Sequence, residues 1–113
     1  MEEQFLMVMV TAGDDEEAQL IASSLLESRK VACANIIPGM KSLYWWREKI
    51  DRANESLILL KTSRRLLDEV VTLVKEIHSY EVPEIIALPI IAGSEDYLKW
   101  LSGELQTKTE NPD

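Results

Sequence analysis

Apolar and polar positions along the chain switch between two periods, and the switches mark the elements. Residues 5–11, FLMVMVT, are apolar at nearly every position, which predicts a strand buried on both faces. After Gly13 the spacing becomes helical: Ala18, Ile21, Ala22, Leu25 and Leu26 share one face, while Glu16, Gln19, Ser23 and Glu27 share the other. Asp14 is the expected N-cap with Glu17 at its third position, close to a capping box, and Asp14, Asp15, Glu16 and Glu17 suit the positive end of the helix dipole. Arg29 and Lys30 mark the expected stop.

Residues 31–37 and 41–50 then form a long β-prone run, interrupted at Pro38-Gly39 and rich in aromatics at Tyr44, Trp45 and Trp46. As one extended strand, residues 31–50 would span roughly 65 Å at about 3.3 Å per residue, against a radius of gyration of about 13 Å for a globule of this size. The strand is therefore expected to bend at Pro38-Gly39 and to reach past its own subunit, onto a neighbouring chain that covers Leu43, Tyr44, Trp45, Trp46 and Ile50. Asp51-Arg52-Ala53-Asn54 has turn composition, so it is expected to close a hairpin with a third strand at 56–62. A second helix is predicted over 63–78, with Leu66, Leu67, Val70, Val71, Leu73, Val74 and Ile77 as its apolar stripe. Residues 79–83 form a loop, residues 84–91 a fourth strand whose Pro89 points to a sheet edge, and Ser94 caps a short third helix carrying Tyr97, Leu98, Trp100 and Leu101. The tail, from about 104 to 113, is expected to fray.

The order β-α-β-β-α-β with a trailing helix predicts an α+β, ferredoxin-like domain covering residues 1–113 as a single unit. In that arrangement both main helices lie on one sheet face. The strands FLMVMV, LILL and IIALPII do not alternate, so the second face must be buried as well, and a closed homo-oligomer with sheets packed inward is expected.

Composition narrows the function. The chain has 113 residues and a net charge of −8, which argues against nucleic acid and against anionic membrane surfaces as partners. No apolar run approaches the roughly 20 residues that cross a bilayer. The segment MEEQFLMVMV has acids where a secretory signal has a basic region, so a cytoplasmic chain is expected, and the single Cys33 agrees.

Taken together, VACANIIPGMKSLYWW, LKTS, HSYEVPEIIALPI and YLKW resemble the CutA family of divalent-cation tolerance proteins, with order and spacing kept. The resemblance implies a ferredoxin-like homotrimer whose long hairpins pair across subunits, an association with copper or other divalent cations, and no established catalytic reaction. Copper-binding members carry a Cys where this chain has Val10 and a His-His pair where it has Ile77-His78, so only His78 remains of those ligands. Many members also place Gly where this chain has Glu48.

The candidate residues each have a plain reading beside the functional one. The plainer reading of His78 is a helix-end residue bonding the last carbonyls; the functional one is a metal ligand, since imidazole suits copper, with Glu81 from the next loop as its companion. Cys33 is a soft-metal candidate, or a small buried side chain between alanines. Lys61, Arg64 and Arg65 around a helix start form a candidate site for a carboxylate or phosphate, or a solvated basic surface. Tyr80 and Trp46 can line a ligand cleft between subunits, or simply fill an interface. The expectation is a non-enzymatic trimer that binds Cu(II) or another divalent cation weakly; the alternative is a trimer that binds a small anionic metabolite at intersubunit clefts, as a signalling or adaptor protein. An acylphosphatase-like enzyme is excluded, because TAGDDEEAQ is acidic and lacks the Arg of a phosphate loop.

Overall fold

The structure is a computed structural model and describes residues 3–107. Its elements run β1 (Phe5–Ala12), α1 (Asp15–Glu27), β2 (Cys33–Trp46), β3 (Lys49–Ser63), a 3-10 turn (Arg64–Leu66), α2 (Leu67–Ile77), β4 (Ile85–Ile90) and α3 (Glu95–Glu104). The strands form one antiparallel sheet in the order β2-β3-β1-β4. This is the ferredoxin-like order, and Pro89 lies on an edge strand as its missing N–H requires.

Alternation sorts the strand residues between two faces. Leu6, Val8 and Val10 of β1, with Ile58 and Leu60 of β3, pack under Ala18, Ile21 and Leu25 of α1 and Val70 and Val74 of α2. Leu26 is exposed, unlike the face-mates expected for it, because it follows Leu25 around the helix and leaves the stripe. On the opposite face stand Met7 and Met9, Leu57 and Leu59, and Ile86 and Leu88, in register across β1, β3 and β4. Ile86 is 50% exposed and Leu88 43%. Among the described residues, two segments approach this face: α3, whose Tyr97 reaches Cys33, and the loop after α2, whose Tyr80 hydroxyl bonds Glu55 beside Leu57.

Local chemistry explains the element ends. The Asp14 carboxylate accepts from the Glu17 N–H at 2.8 Å, and the Glu17 carboxylate accepts from the Gly13 N–H at 3.0 Å, one residue short of a full capping box. At the other end of α1, Arg29 adopts a φ of 57° while its N–H reaches the Leu26 carbonyl and the Lys30 N–H reaches the Leu25 carbonyl. That is a Schellman cap with Arg where Gly is usual.

The hairpin differs from the expectation drawn from composition. Asp51, Arg52, Ala53 and Asn54 are not a turn; they lie within β3, paired with Tyr44, Leu43, Ser42 and Lys41. The chain reverses at Arg47-Glu48, which take φ of 51° and 69°, a two-residue turn of type I′. That geometry matches the twist of the flanking strands, so the aromatic end of β2 can pair as far as Trp46. The bend at Pro38-Gly39 is present as a bulge between Ile37 and Met40, with Gly39 at a φ of 77°. Beyond it the hairpin projects, giving extents of 49 × 33 × 24 Å. Leu43 (60% exposed), Trp45 (71%) and Ile50 (57%) line one face of the projection.

Two further expectations change. The second helix begins at Leu67, after a 3-10 turn, so its first α-helical turn carries Asp68 and Glu69 and not the arginines. The segment from Glu104 to Gln106 is anchored rather than frayed. Arg29 pairs with Glu104 at 2.9 Å, Leu105 is buried, and Gln106 bonds the Arg29 carbonyl and the Arg65 guanidinium. Residues 108–113 of the expected tail lie outside the described residues.

Candidate functional site

A cleft of about 800 Å³ opens where the hairpin leaves the body, between β2–β3 and the loop that joins α2 to β4. The register decides what faces it. Beyond the bulge, Ser42, Tyr44 and Trp46 of β2 lie on the same face as Asp51 and Glu55 of β3, whereas Lys41, Leu43 and Trp45 alternate to the other. The loop supplies Tyr80, Glu81 and Glu84.

Tyr80 is held from three sides. Its hydroxyl donates to Glu55 Oε2 at 2.8 Å, its N–H donates to His78 Nδ1 at 3.1 Å, and its ring packs against the His78 imidazole at a tilt of 51°, with centroids 4.7 Å apart. Burial first, and then the hydrogen bond to the Glu55 carboxylate, push the Tyr80 phenol well above its usual range, so the hydroxyl remains a donor. His78 is a buried connector. Because Nδ1 accepts from Tyr80, Nε2 carries the proton and donates to the Thr11 carbonyl at 2.7 Å. Behind it, the Glu17 carboxylate accepts from Gly13 N–H and from Ser79 N–H at 2.7 Å. Burial raises the Glu17 pKa, but these backbone donors outweigh it and leave the carboxyl below its ordinary value.

The candidate metal residues do not converge. Both ring nitrogens of His78 are engaged, Glu81 is at the hairpin mouth facing Arg47 at 3.5 Å, and Cys33 is on the bare sheet face 3.9 Å from Lys61 Nζ. At the positions where the resemblance implies further ligands, Val10 is fully buried among aliphatic side chains and Ile77 packs against the same core. No group of three or more His, Cys, Asp or Glu among the described residues is arranged to hold a metal ion. These residues do not fit a copper site within one chain.

The candidate anion residues are also separated. Lys61 donates to Asn35 Oδ1 at 2.7 Å on the bare face. Arg65 pairs with Glu3 at 2.8 Å, and the Thr62 hydroxyl donates to the Lys30 carbonyl at 2.6 Å. The Ser63 hydroxyl donates to the Gln4 carbonyl, and Arg64 is exposed beyond it. Of the candidates, Tyr80 and Trp46 do share one cleft. Asp51 and Glu55 were not anticipated there, because Asp51 was assigned to a turn; carrying the alternation back from Leu57 through Glu55, Ala53 and Asp51 places both acids on one face.

With this geometry in hand, known proteins give the lineage. The family model of the CutA1 divalent ion tolerance protein matches residues 6–104. The chain belongs to the CutA family. The divalent-cation tolerance protein CutA of Pectobacterium atrosepticum is 39% identical over 101 residues, covering 89% of this chain and 92% of that protein. CutA of Thermus thermophilus is 43% identical over 95 residues, covering 84% and 92%. The chain spans about half of the rice chloroplastic CutA 1, 54% of its length, at 43% identity. In structure, rice CutA1 superposes with a TM-score of 0.90 over 93% of this chain and 96% of that one, at 39% identity. The fold and the divalent-cation tolerance lineage of this CutA chain therefore rest on agreement in sequence and in structure.

Proposed function

We propose that this CutA chain works as a non-enzymatic homotrimer in divalent-cation tolerance, in the cytoplasm, and that any copper or other divalent cation is bound between subunits. The observation that carries the assembly is the bare sheet face. Met7, Met9, Leu57, Leu59, Ile86 and Leu88 form a continuous apolar surface that α3 leaves largely open, and apolar area of that kind is stabilised by burial at about 25 cal/mol per Å². The projecting hairpin supports the same reading, since its unpaired β2 edge and its exposed Leu43 and Trp45 suit a neighbouring subunit.

A non-catalytic role for His78 fits its bonding, since both ring nitrogens are already engaged, with the Thr11 carbonyl and the Tyr80 N–H. Intersubunit cation binding is supported by Glu81 and Glu84, which stand at the cleft mouth. An anionic metabolite finds less support, because Lys61 and Arg64 are apart and the cleft is lined by acids.

Native mass spectrometry before and after Cu(II) addition and desalting tests the reading. A trimer mass with integral copper additions, lost in Glu81→Gln, is the expected result. A trimer without copper would remove direct metal binding, and a monomer would overturn the assembly itself.

A further inference from the structure

Behind the cleft, one buried ring nitrogen stands within reach of two partners that ask opposite things of it. The His78 side chain is fully buried, and its Nε2 is fixed on the Thr11 carbonyl at 2.7 Å. Its Nδ1 accepts from the Tyr80 N–H at 3.1 Å, and Glu17 Oε2 lies 3.5 Å from the same nitrogen. A neutral Nδ1 can only accept, so it holds Tyr80. A protonated Nδ1 can only donate, so it must give up the Tyr80 N–H and turn to Glu17. Glu17 Oε2 already accepts from the Ser79 N–H at 2.7 Å, and a carboxylate oxygen has a lone pair left for a second donor. The two bonding patterns exclude each other, and one proton separates them.

The surroundings allow both patterns. Glu17 faces the ring from α1, and Glu55 faces it from β3 through the Tyr80 hydroxyl, which bonds its Oε2 at 2.8 Å. From β1 comes the Thr11 carbonyl, and on α2 the last-turn Lys75 and Glu76 are exposed. The other ion pairs of the described residues engage Glu104, Glu69, Glu81 and Glu3, away from the ring. Protons have a route from the helix side, where Glu17 lines an open depression with Asp14, Glu16 and Ser79. Assembly through the bare sheet face leaves that side in water. What depends on Nδ1 is the loop from α2 to β4: Ser79, Glu81 and Val82 are exposed, and Tyr80 ties the segment inward by its N–H, its ring and its hydroxyl.

We propose that His78 is a proton-operated latch on this loop. Neutral, it holds the Tyr80 N–H and keeps the phenol on Glu55 at the cleft; protonated from solvent, its Nδ1 donates to Glu17, the Tyr80 N–H passes to water, and the loop loosens from the cleft.

His78 is the single histidine of the chain, so nitrogen-15 NMR reads its ring without overlap. The test follows that ring and the Ser79 and Tyr80 amides in the full-length protein, in its native assembly, from about pH 8 to about pH 5, the interval in which histidine ordinarily changes charge. At the alkaline end the Nε2–H tautomer is expected. On acidification the ring and the Tyr80 amide should shift with one midpoint. Hydrogen exchange at Tyr80, corrected for its intrinsic pH dependence, should rise roughly tenfold, as for one lost hydrogen bond. His78→Gln, which cannot titrate, is expected to abolish the amide response, and Glu17→Gln to uncouple it from the ring. A ring that stays in one state across the interval overturns the proposal, as does a ring that titrates while the Tyr80 amide stays still. An undiminished amide response in His78→Gln overturns it too. If Glu17→Gln is too unstable to measure, wild type and His78→Gln decide between these outcomes.

Discussion

Glu17 shows how much one side chain can hold. It was legible in the sequence as the third residue of a helix cap, but its second bond, to the Ser79 N–H, crosses 62 positions and no local pattern announces it. Because its pKa is lowered in the folded chain, its stabilisation is fully present above the ordinary carboxylate value of 4.5 and is lost as pH falls through the lowered value. Glu17→Gln should therefore cost about 1–3 kcal/mol at pH 7, with the gap to wild type closing as pH falls below 4.5 and through the lowered value; urea unfolding at several pH values measures both. Glu48 makes the opposite case. Its φ of 69° strains a side chain that is exposed and whose carboxylate makes no ion pair among the described residues. Glu48→Gly should raise stability by about 1 kcal/mol, read as a higher unfolding midpoint. Arg29 has the same kind of strain but also bonds Glu104 and the Glu104 carbonyl, so Arg29→Gly exchanges one effect for the other and is expected to gain little.

At the scale of elements, β1, β4, α1 and α3 were readable because their apolar spacing is strong and both helices carry side-chain N-caps, Asp14 and Ser94. The hairpin was misread for a definite reason. Arg47-Glu48 lacks the Asn-Gly or Asp-Gly signature of a type I′ turn, whereas Asp51-Arg52-Ala53-Asn54 has turn composition without being a turn. Cross-strand pairing such as Tyr44 with Asp51 and Trp45 with Ile50 overrides that local preference. The same error hid the Asp51–Glu55 face of the cleft. The third helix was placed correctly by Ser94, whose hydroxyl accepts from the Tyr97 N–H. Its anchoring at the far end was not, since the contacts of Glu104 and Gln106 come from Arg29 and Arg65. Leu101 is fully buried beneath this helix, so Leu101→Ala should cost about 2–5 kcal/mol and release the segment after Gly93, detectable as faster amide exchange there.

At the scale of the whole molecule, the failure of the strands to alternate proved the most informative sequence feature. It anticipated a sheet whose second face is apolar and exposed in a single chain. Ile86 is half-exposed on that face and its removal opens no cavity in the helix-side core. Ile86→Glu should therefore leave the circular dichroism of the chain intact while shifting its native mass toward the monomer. Loss of secondary structure in that variant would mean that the face supports the fold of the chain and not only its assembly.

The position of β1 has a further consequence, in time rather than in space. It lies between β3 and β4, and about eighty residues separate its start from the start of β4. At a synthesis rate of about 5–20 residues per second, the FLMVMVT segment waits roughly 4–16 s before its last partner exists. Throughout that interval it is an apolar segment whose β4-side edge is open. Aggregation of nascent chains is therefore expected to begin before release from the ribosome, and truncating the chain before β4 should increase it.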